Sequence, residues 1–273
     1  MSIFIWMNPA KVFTDQLGRK IEISFPPKKI ISIVPSQTEL LFDLGLEEEV
    51  IGITRFCVHP EKWFRTKTRV GGTKKLNIEK IISMQPDLII ANKEENTEEQ
   101  IQSLSEKFPM WVSDIKTLED AFEMMRIVGA MTGKVHRVTE MVAEIKSAFS
   151  NHLIPDAHNP LSTAAYLIWY EPLMTIGSDT FIHSMMLAAG FRNVFATLTR
   201  YPSITLDELK AASPQYILLS SEPFPFKQKQ VDELQQQLPS SKIILVDGKM
   251  FSWYGSRLLK APQYFSELRE SIY

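Results

Sequence analysis

Thr132–Leu153 reads TGKVHRVTEMVAEIKSAFSNHL, and the rest of the chain is organised around it. Val135, Val138, Val142, Ile145 and Phe149 recur at three-four spacing and share one helical face, which Met141 and Ala148 widen. Thr132 offers an N-cap oxygen, no proline interrupts the run, and Pro155 with Pro160 stops it. The spacing predicts a helix of about twenty residues, roughly 30 Å long. Strand and helix signals alternate before this stretch, cease at it, and resume after it in the same order. It is therefore read as a rigid connector between two similar lobes. The expected fold class is α/β: two Rossmann-like lobes, each a mostly parallel sheet flanked by helices, joined by one long backbone helix.

Working outward, Val12–Ser24 reads as a hairpin around the Asp15–Gly18 turn. Ile30–Val34 is a short β-branched run of the kind buried in parallel sheets. Ser36 and Glu39 have capping-box spacing for a helix from Gln37 to Gly45. Strands follow at Val50–Thr54, Asp87–Ile90 and Met110–Val112, with helices at Ile78–Met84 after an Asn77 cap, Thr97–Phe108 and Thr117–Met131. Beyond the connector come strands at Ala164–Ile168, Tyr216–Leu219 and Ile243–Val246. Helices there are expected from a Ser178-Asp179 cap to Gly190, at Leu206–Ala212, at Lys227–Gln237 and, as a single run, at Ser256–Ile272. The predicted units are an N-terminal extension with its hairpin (1–28), a lobe (29–131), the connecting helix (132–154) and a second lobe (155–273).

Two stretches echo each other. In Ile78–Ile90 and Leu206–Leu218 an acid, Glu79 or Asp207, precedes a proline by the same spacing, and a short helix leads through that proline into a buried strand. Leu41–Gly45 before Val50 likewise resembles Met186–Gly190 before Val194. The pattern reads as a duplicated lobe, its period being too long for a solenoid.

The 273 residues suffice for two cores, and 44% hydrophobic residues, 23% charged residues and a net charge of -2 describe an ordinary globular chain with no general attraction to nucleic acid or acidic membranes. No segment is apolar for long enough to suggest membrane insertion. Met1–Pro9 has no basic n-region, no long apolar core and no cleavage site, so it is not read as a signal peptide. Cys57 is the single cysteine, and with His59 it supplies the one pair that an enzyme or a metal site would use. His136, His152, His158 and His183 add no companion spacing, so neither catalytic nor metal residues are assigned. The sequence lacks the G-x-G-x-x-G, P-loop and G-x-S-x-G patterns. Aromatic and arginine residues instead gather in loops after strands: Arg55-Phe56, Trp169-Tyr170, Arg200-Tyr201, and Trp253-Tyr254 with Arg257. They are expected to wall a cleft for a large, flat or partly apolar ligand carrying anionic oxygens.

The runs Ile31–Glu39, Val70–Thr73, and Asn77–Ile81 before Pro86–Ile90 resemble the class III substrate-binding proteins of ABC importers, the receptors for cobalamin, ferric siderophores and haem. The resemblance spans about Lys29 to Leu268. It implies a non-catalytic, monomeric two-lobed receptor without an intrinsic cofactor, which delivers a metal chelate from the cell envelope to permease and ATPase subunits. Phe56 and Tyr201 match positions of cleft aromatics in the cobalamin-binding member, and Thr73 stands where that member has a tryptophan. Glu79 and Asp207, with Glu208 as the near alternative, match the surface acids that dock on the transporter. The alternative reading is a cytoplasmic protein of the same fold that binds a corrinoid or metal chelate for storage, sensing or processing.

Overall fold

A computed structural model describes residues 9–152 and 161–272. The chain forms two compact units. Among the described residues the first comprises 9–114, 120–143 and 254–256, and the second 115–119, 144–152, 161–253 and 257–272. In chain order the first unit holds the hairpin β1 (Ala10–Thr14) and β2 (Lys20–Ser24), then β3 (Ile30–Ser32), α1 (Pro35–Asp43), β4 (Val50–Ile53), α2 (Glu61–Thr66), β5 (Thr68–Arg69), β6 (Gly71–Gly72) and β7 (Lys75–Leu76). It continues with α3 (Ile78–Met84), β8 (Leu88–Asn92), α4 (Glu98–Ser105), β9 (Met110–Ser113) and most of α5 (Leu118–Thr132). The helix α6 (Val135–His152) falls partly in each unit. The second unit adds β10 (Ser162–Leu167), α7 (Phe181–Ala188), β11 (Phe191–Asn193), α8 (Leu206–Ala212), β12 (Tyr216–Ser220), α9 (Gln228–Gln237), β13 (Lys242–Val246), α10 (Gly248–Ser252) and α11 (Ala261–Ile272).

Each unit has one parallel sheet. The first runs β5-β4-β3-β8-β9 and the second β11-β10-β12-β13. In both, the earliest strand lies inside and the chain steps first to one side of it, then to the other. The switch points are β3/β8, where Ile31 pairs with Ile89, and β10/β12, where Ala165 pairs with Ile217. Strands closed in on both faces are mainly apolar, and β3 and β8 are buried at every residue, with a polar side chain only at their carboxyl ends, Ser32 and Asn92.

The internal repeat extends to hydrogen bonds. Asn77 and Thr205 cap α3 and α8 by accepting from Lys80 N and Glu208 N. Gln85 and Ser213 end those helices in the left-handed region at φ 48° and 44°. The residue after each following proline then pins the start of the sheet's inner strand. Asp87 carboxylate oxygens accept from Lys28 N and Lys29 N at 2.8 and 2.9 Å, and Gln215 Oε1 accepts from Thr163 N at 2.8 Å. Gly45 and Gly190, at φ +75° and +86°, end α1 and α7, although the strand after the second begins at Phe191 rather than Val194.

Several helix ends differ from the sequence reading. Thr132 does not cap α6. It ends α5, donates through Oγ1 to Val128 O at 2.8 Å, and is followed by Gly133 at φ +73°, with Lys134 N donating to Gly129 O at 2.7 Å. That bond pattern is a Schellman turn. The glycine is a stop signal that outranks the threonine as a start signal. Val135 consequently lies in the exposed first turn, 56% exposed, while Val138, Met141, Val142, Ile145 and Phe149 form the buried stripe. The expected end at Leu153 and the stops at Pro155 and Pro160 lie outside the described residues, as do most of Met1–Pro9 and His158.

Ser36 and Glu39 form no capping box, because Pro35, which has no N–H, opens α1 with Val34 as N-cap. Thr180, not Ser178 or Asp179, caps α7, and Asp179 Oδ1 accepts instead from Arg200 N at 2.5 Å. The closing run breaks into a 3-10 turn at Ser256–Leu259 followed by α11. The short helices α2 and α10 begin in segments for which the sequence reading predicts no element.

Within the first unit α5 and α6 touch through a glycine. A Cβ on Gly129 would lie 2.3 Å from Val138 Cγ1 and 2.8 Å from Val138 Cβ. Gly129→Ala is expected to cost about 1–3 kcal/mol in urea denaturation through overpacking. Val138→Ala in the same chain should recover part of that loss, giving a non-additive double-mutant cycle.

Candidate functional site

In open parallel sheets ligands collect outside the carboxyl ends of the strands, near the switch point. In the first unit that edge carries the loops after β3, β4, β8 and β9. Arg55 N donates to Gly71 O at 2.8 Å, which draws the loop after β4 onto the β6–β7 turn. Phe56 is 49% exposed, and the Arg55 guanidinium lies 4.9 Å from its ring centroid. A Cβ on Gly72 would come within 3.1 Å of both Arg55 Nε and Phe56 Cε2, so the bare glycine gives this pair its seat. Thr73 is buried, and its carbonyl accepts from Asn96 Nδ2 at 3.1 Å.

Behind the Arg55-Phe56 pair a buried polar network ties the strand ends together. Ser113 Oγ accepts from Gln37 Nε2 at 2.6 Å and from Asn92 Nδ2 at 2.9 Å. Thr38 Oγ1 lies 2.7 Å from Ser32 Oγ and 3.1 Å from the thiol of Cys57, which sits 3.2 Å from Thr54 Oγ1. Cys57 is fully buried, and burial pushes its thiol up despite these hydroxyls. A protonated, sealed thiol is no nucleophile. Among the described residues no cluster of three or more histidine, cysteine or acidic groups forms a metal site.

In the second unit the edge is built by the loops after β10, β12 and β13, joined by residues 198–203. Met174 bridges both Trp169 and Ser203, and Gly177 N donates to Arg200 O at 2.8 Å, so Arg200-Tyr201 and Trp169-Tyr170 belong to one interlocked loop pair. Trp169 is 39% exposed and packs edge-on to Phe224 with ring centroids 5.5 Å apart. Tyr170 stacks on Phe224 at 6.1 Å and meets Phe226 edge-on at 6.0 Å. Its hydroxyl donates to Glu233 Oε2 at 2.6 Å, a bond that, together with burial, pushes the hydroxyl up to about 12. Trp169 thus faces outward, whereas Tyr170 is fixed inside the wall.

The last group is more deeply placed than a loop reading suggests. Trp253, Tyr254 and Arg257 are 7%, 7% and 8% exposed, and the Arg257 guanidinium lies 4.7 Å from the Trp253 ring centroid. Trp253 Nε1 donates to Glu222 Oε1 at 2.8 Å, and Ser252 Oγ donates to the same oxygen at 2.8 Å. Burial pushes the Glu222 carboxyl up, partly opposed by these two donors and by Lys249. The sequence reading passed over the run Ser221-Glu222-Pro223-Phe224-Pro225-Phe226. Its signal was available, since a rigid P-x-P pattern bearing an acid and two aromatics follows a buried strand directly.

Of the paired acids, Glu79 and Asp207 sit exposed on the first turns of α3 and α8. Glu208 is occupied: its Oε2 accepts from Thr205 N at 2.6 Å and from Thr205 Oγ1 at 2.9 Å, closing a capping box that holds its carboxyl below the usual range.

The sequence profile of the family described as "Periplasmic binding protein" matches residues 30–242, which take in the first sheet with its edge and, in the second unit, β10, β11 and β12 with the loops after them. This chain belongs to that family. An uncharacterized ABC transporter substrate-binding lipoprotein of Bacillus subtilis is 25% identical over 95% of the chain and 84% of its own length. A vitamin B12-binding protein of Pectobacterium carotovorum is 23% identical over 87% and 86%. A periplasmic haem-binding protein of Pseudomonas aeruginosa has the same fold, with a TM-score of 0.76 and 19% identity over 89% of this chain and 92% of that one. The two α/β units therefore have counterparts in these proteins along nearly their whole length.

Glu222 offers a test of the electrostatics. A carboxyl raised by burial stabilises the fold in its neutral form, and that contribution is lost as pH rises through the raised value. Glu222→Gln, whose amide oxygen can still accept from Ser252 and Trp253, should raise Tm relative to the unmodified chain at pH 8. The gain should shrink toward zero as the pH falls below the ordinary carboxyl value of 4.5.

Proposed function

We propose that this protein is a non-catalytic receptor that binds a metal chelate (a corrinoid, haem or ferric siderophore) and delivers it to the permease and ATPase subunits of an ABC importer in the cell envelope. The observation that carries this reading is family membership joined to the character of the sheet edges. Each edge presents aromatic surface beside arginine, Phe56 with Arg55 and Trp169 and Tyr201 with Arg200, on backbone fixed by hydrogen bonds. That lining suits a large, partly apolar ligand with polar rim groups. The thiol that an enzyme reading needs is sealed in the core. Among the described residues no helix is long and apolar enough to cross a membrane.

Titration with cyanocobalamin, haemin and a ferric hydroxamate, followed by tryptophan fluorescence, should give saturable one-to-one quenching by one of them. Phe56→Ala should weaken that binding roughly two- to tenfold, as loss of one aromatic contact does. Absence of binding by all three would remove the receptor reading.

Docking is assigned to Glu79 and Asp207. Both carboxylates are exposed at equivalent points of the repeat, whereas Glu208 is held by its cap. The double reversal Glu79→Lys with Asp207→Lys should leave ligand affinity unchanged and weaken association with the transporter, most at low salt, where surface charges are least screened. Uptake at the unmodified rate would reduce these acids to helix-end charges.

A further inference from the structure

Glu222 is costly where it stands. Its carboxylate is half-buried just past the carboxyl end of β12, and burial disfavours its charge. Oε1 takes both hydrogen bonds, from Ser252 Oγ and Trp253 Nε1, each at 2.8 Å, and among the described residues Oε2 takes none. The backbone is tied as well: Ser220 Oγ donates to Glu222 O at 2.5 Å, and Glu222 N lies 3.3 Å from Ser220 Oγ. A Cβ on Gly248 would fall 2.8 Å from Glu222 Cγ, so the β13 loop closes against the side chain. The group is therefore held and oriented through Oε1, while Oε2 is not sealed from the surface.

A purely structural acceptor for an indole N–H and a hydroxyl requires no charge; a neutral amide does that work without desolvating an anion. A charged acceptor with one oxygen left over, on the ligand-side edge of a parallel sheet, has the form of a recognition group. We propose that Glu222 is a specificity-determining residue of the binding face: Oε1 positions Ser252 and Trp253, and Oε2 accepts a hydrogen bond from an N–H donor on the rim of a bound metal chelate. The inference rests on the receptor reading above and narrows its ligand class. At this point of the face a chelate rimmed by carboxamide or ammonium groups is accepted, and one that presents carboxylates there is repelled. Lys249 tempers the local negative charge of Glu222 and Asp247, while Arg257 is buried against the Trp253 ring.

The test uses the full chain, the variants Glu222→Gln and Glu222→Leu, and three probes. Cyanocobalamin carries neutral carboxamides, iron-loaded ferrioxamine B carries amides and an ammonium, and haemin carries two carboxylates. The unmodified protein should prefer cyanocobalamin or ferrioxamine B to haemin, and whichever binds identifies the source of the donor. Glu222→Gln should weaken the preferred probe about tenfold, as expected when a charged acceptor becomes neutral. It should do so without moving the Trp253 emission, taken as the difference from Trp253→Phe. Glu222→Leu should weaken the probe further and shift that emission. If a probe binds and Glu222→Gln binds it within twofold of the unmodified protein, the assignment of Oε2 is overturned while the receptor reading stands. Preference for haemin overturns the ligand class. Failure of all three probes to bind the unmodified chain overturns both readings.

Discussion

Parallel pairing is the constraint on which the rest of this structure depends. Neighbouring parallel strands cannot be joined by a two-residue turn, so each connection must cross over the sheet, and a helix is the compact way to do it. The crossovers bury both faces of β3, β8, β10 and β12, which is why β3, β8 and β12 are apolar except at their ends. They also bring every strand out at the same edge. The loops after β3, β4, β8 and β9 in one unit, and after β10, β12 and β13 in the other, are gathered by topology before any side chain is chosen. Function is then a matter of what those loops carry.

The two units solve the same folding problem with the same small parts. A capped helix, a left-handed residue, a proline and a side-chain pin on the inner strand recur as Asn77, Gln85, Pro86 and Asp87, and as Thr205, Ser213, Pro214 and Gln215. Asp87 pins with a carboxylate and Gln215 with an amide, so geometry is retained where charge is not. Among the described residues the exposed acid on the first turn of each helix takes no part in this packing, and Asp207 makes a contact of 3.8 Å with Lys210. That separates it from Glu208, whose carboxylate is part of the helix cap.

The two edges at the carboxyl ends of the strands differ in how they treat polar groups. In the first unit Gln37, Asn92, Asn96 and Ser113 bond chiefly to one another and to backbone, which stiffens the strand ends, and the display is left to Arg55 and Phe56. In the second unit the wall is aromatic, from Trp169 through Tyr170 to Phe224 and Phe226, and the polar content concentrates in Glu222 and the groups around it. A desolvated carboxylate lowers stability, and its retention in a wall that could be wholly apolar is accounted for by a task that needs charge.

The sequence alone determined what depends on short-range pattern. The stripe from Val138 to Phe149, the β-branched strands, the helix–proline–strand repeat and the position of aromatic-arginine pairs after strands are all periodicities or fixed spacings, and local backbone geometry turns them directly into elements. Helix ends were less legible, because Thr132, Ser36 and Asp179 each have two bonding options, and neighbours distant in the chain or a glycine or proline alongside chose between them. Tertiary packing alone decided which loop residues are surface and which are wall. Phe56 and Trp169 stay outward, while Tyr170 is claimed by Glu233 and Trp253 by Glu222, partners 63 and 31 residues away. Burying a hydrogen-bond donor of an aromatic ring away from an acceptor is costly, and where an acceptor stands in space is information that no single stretch of the chain contains.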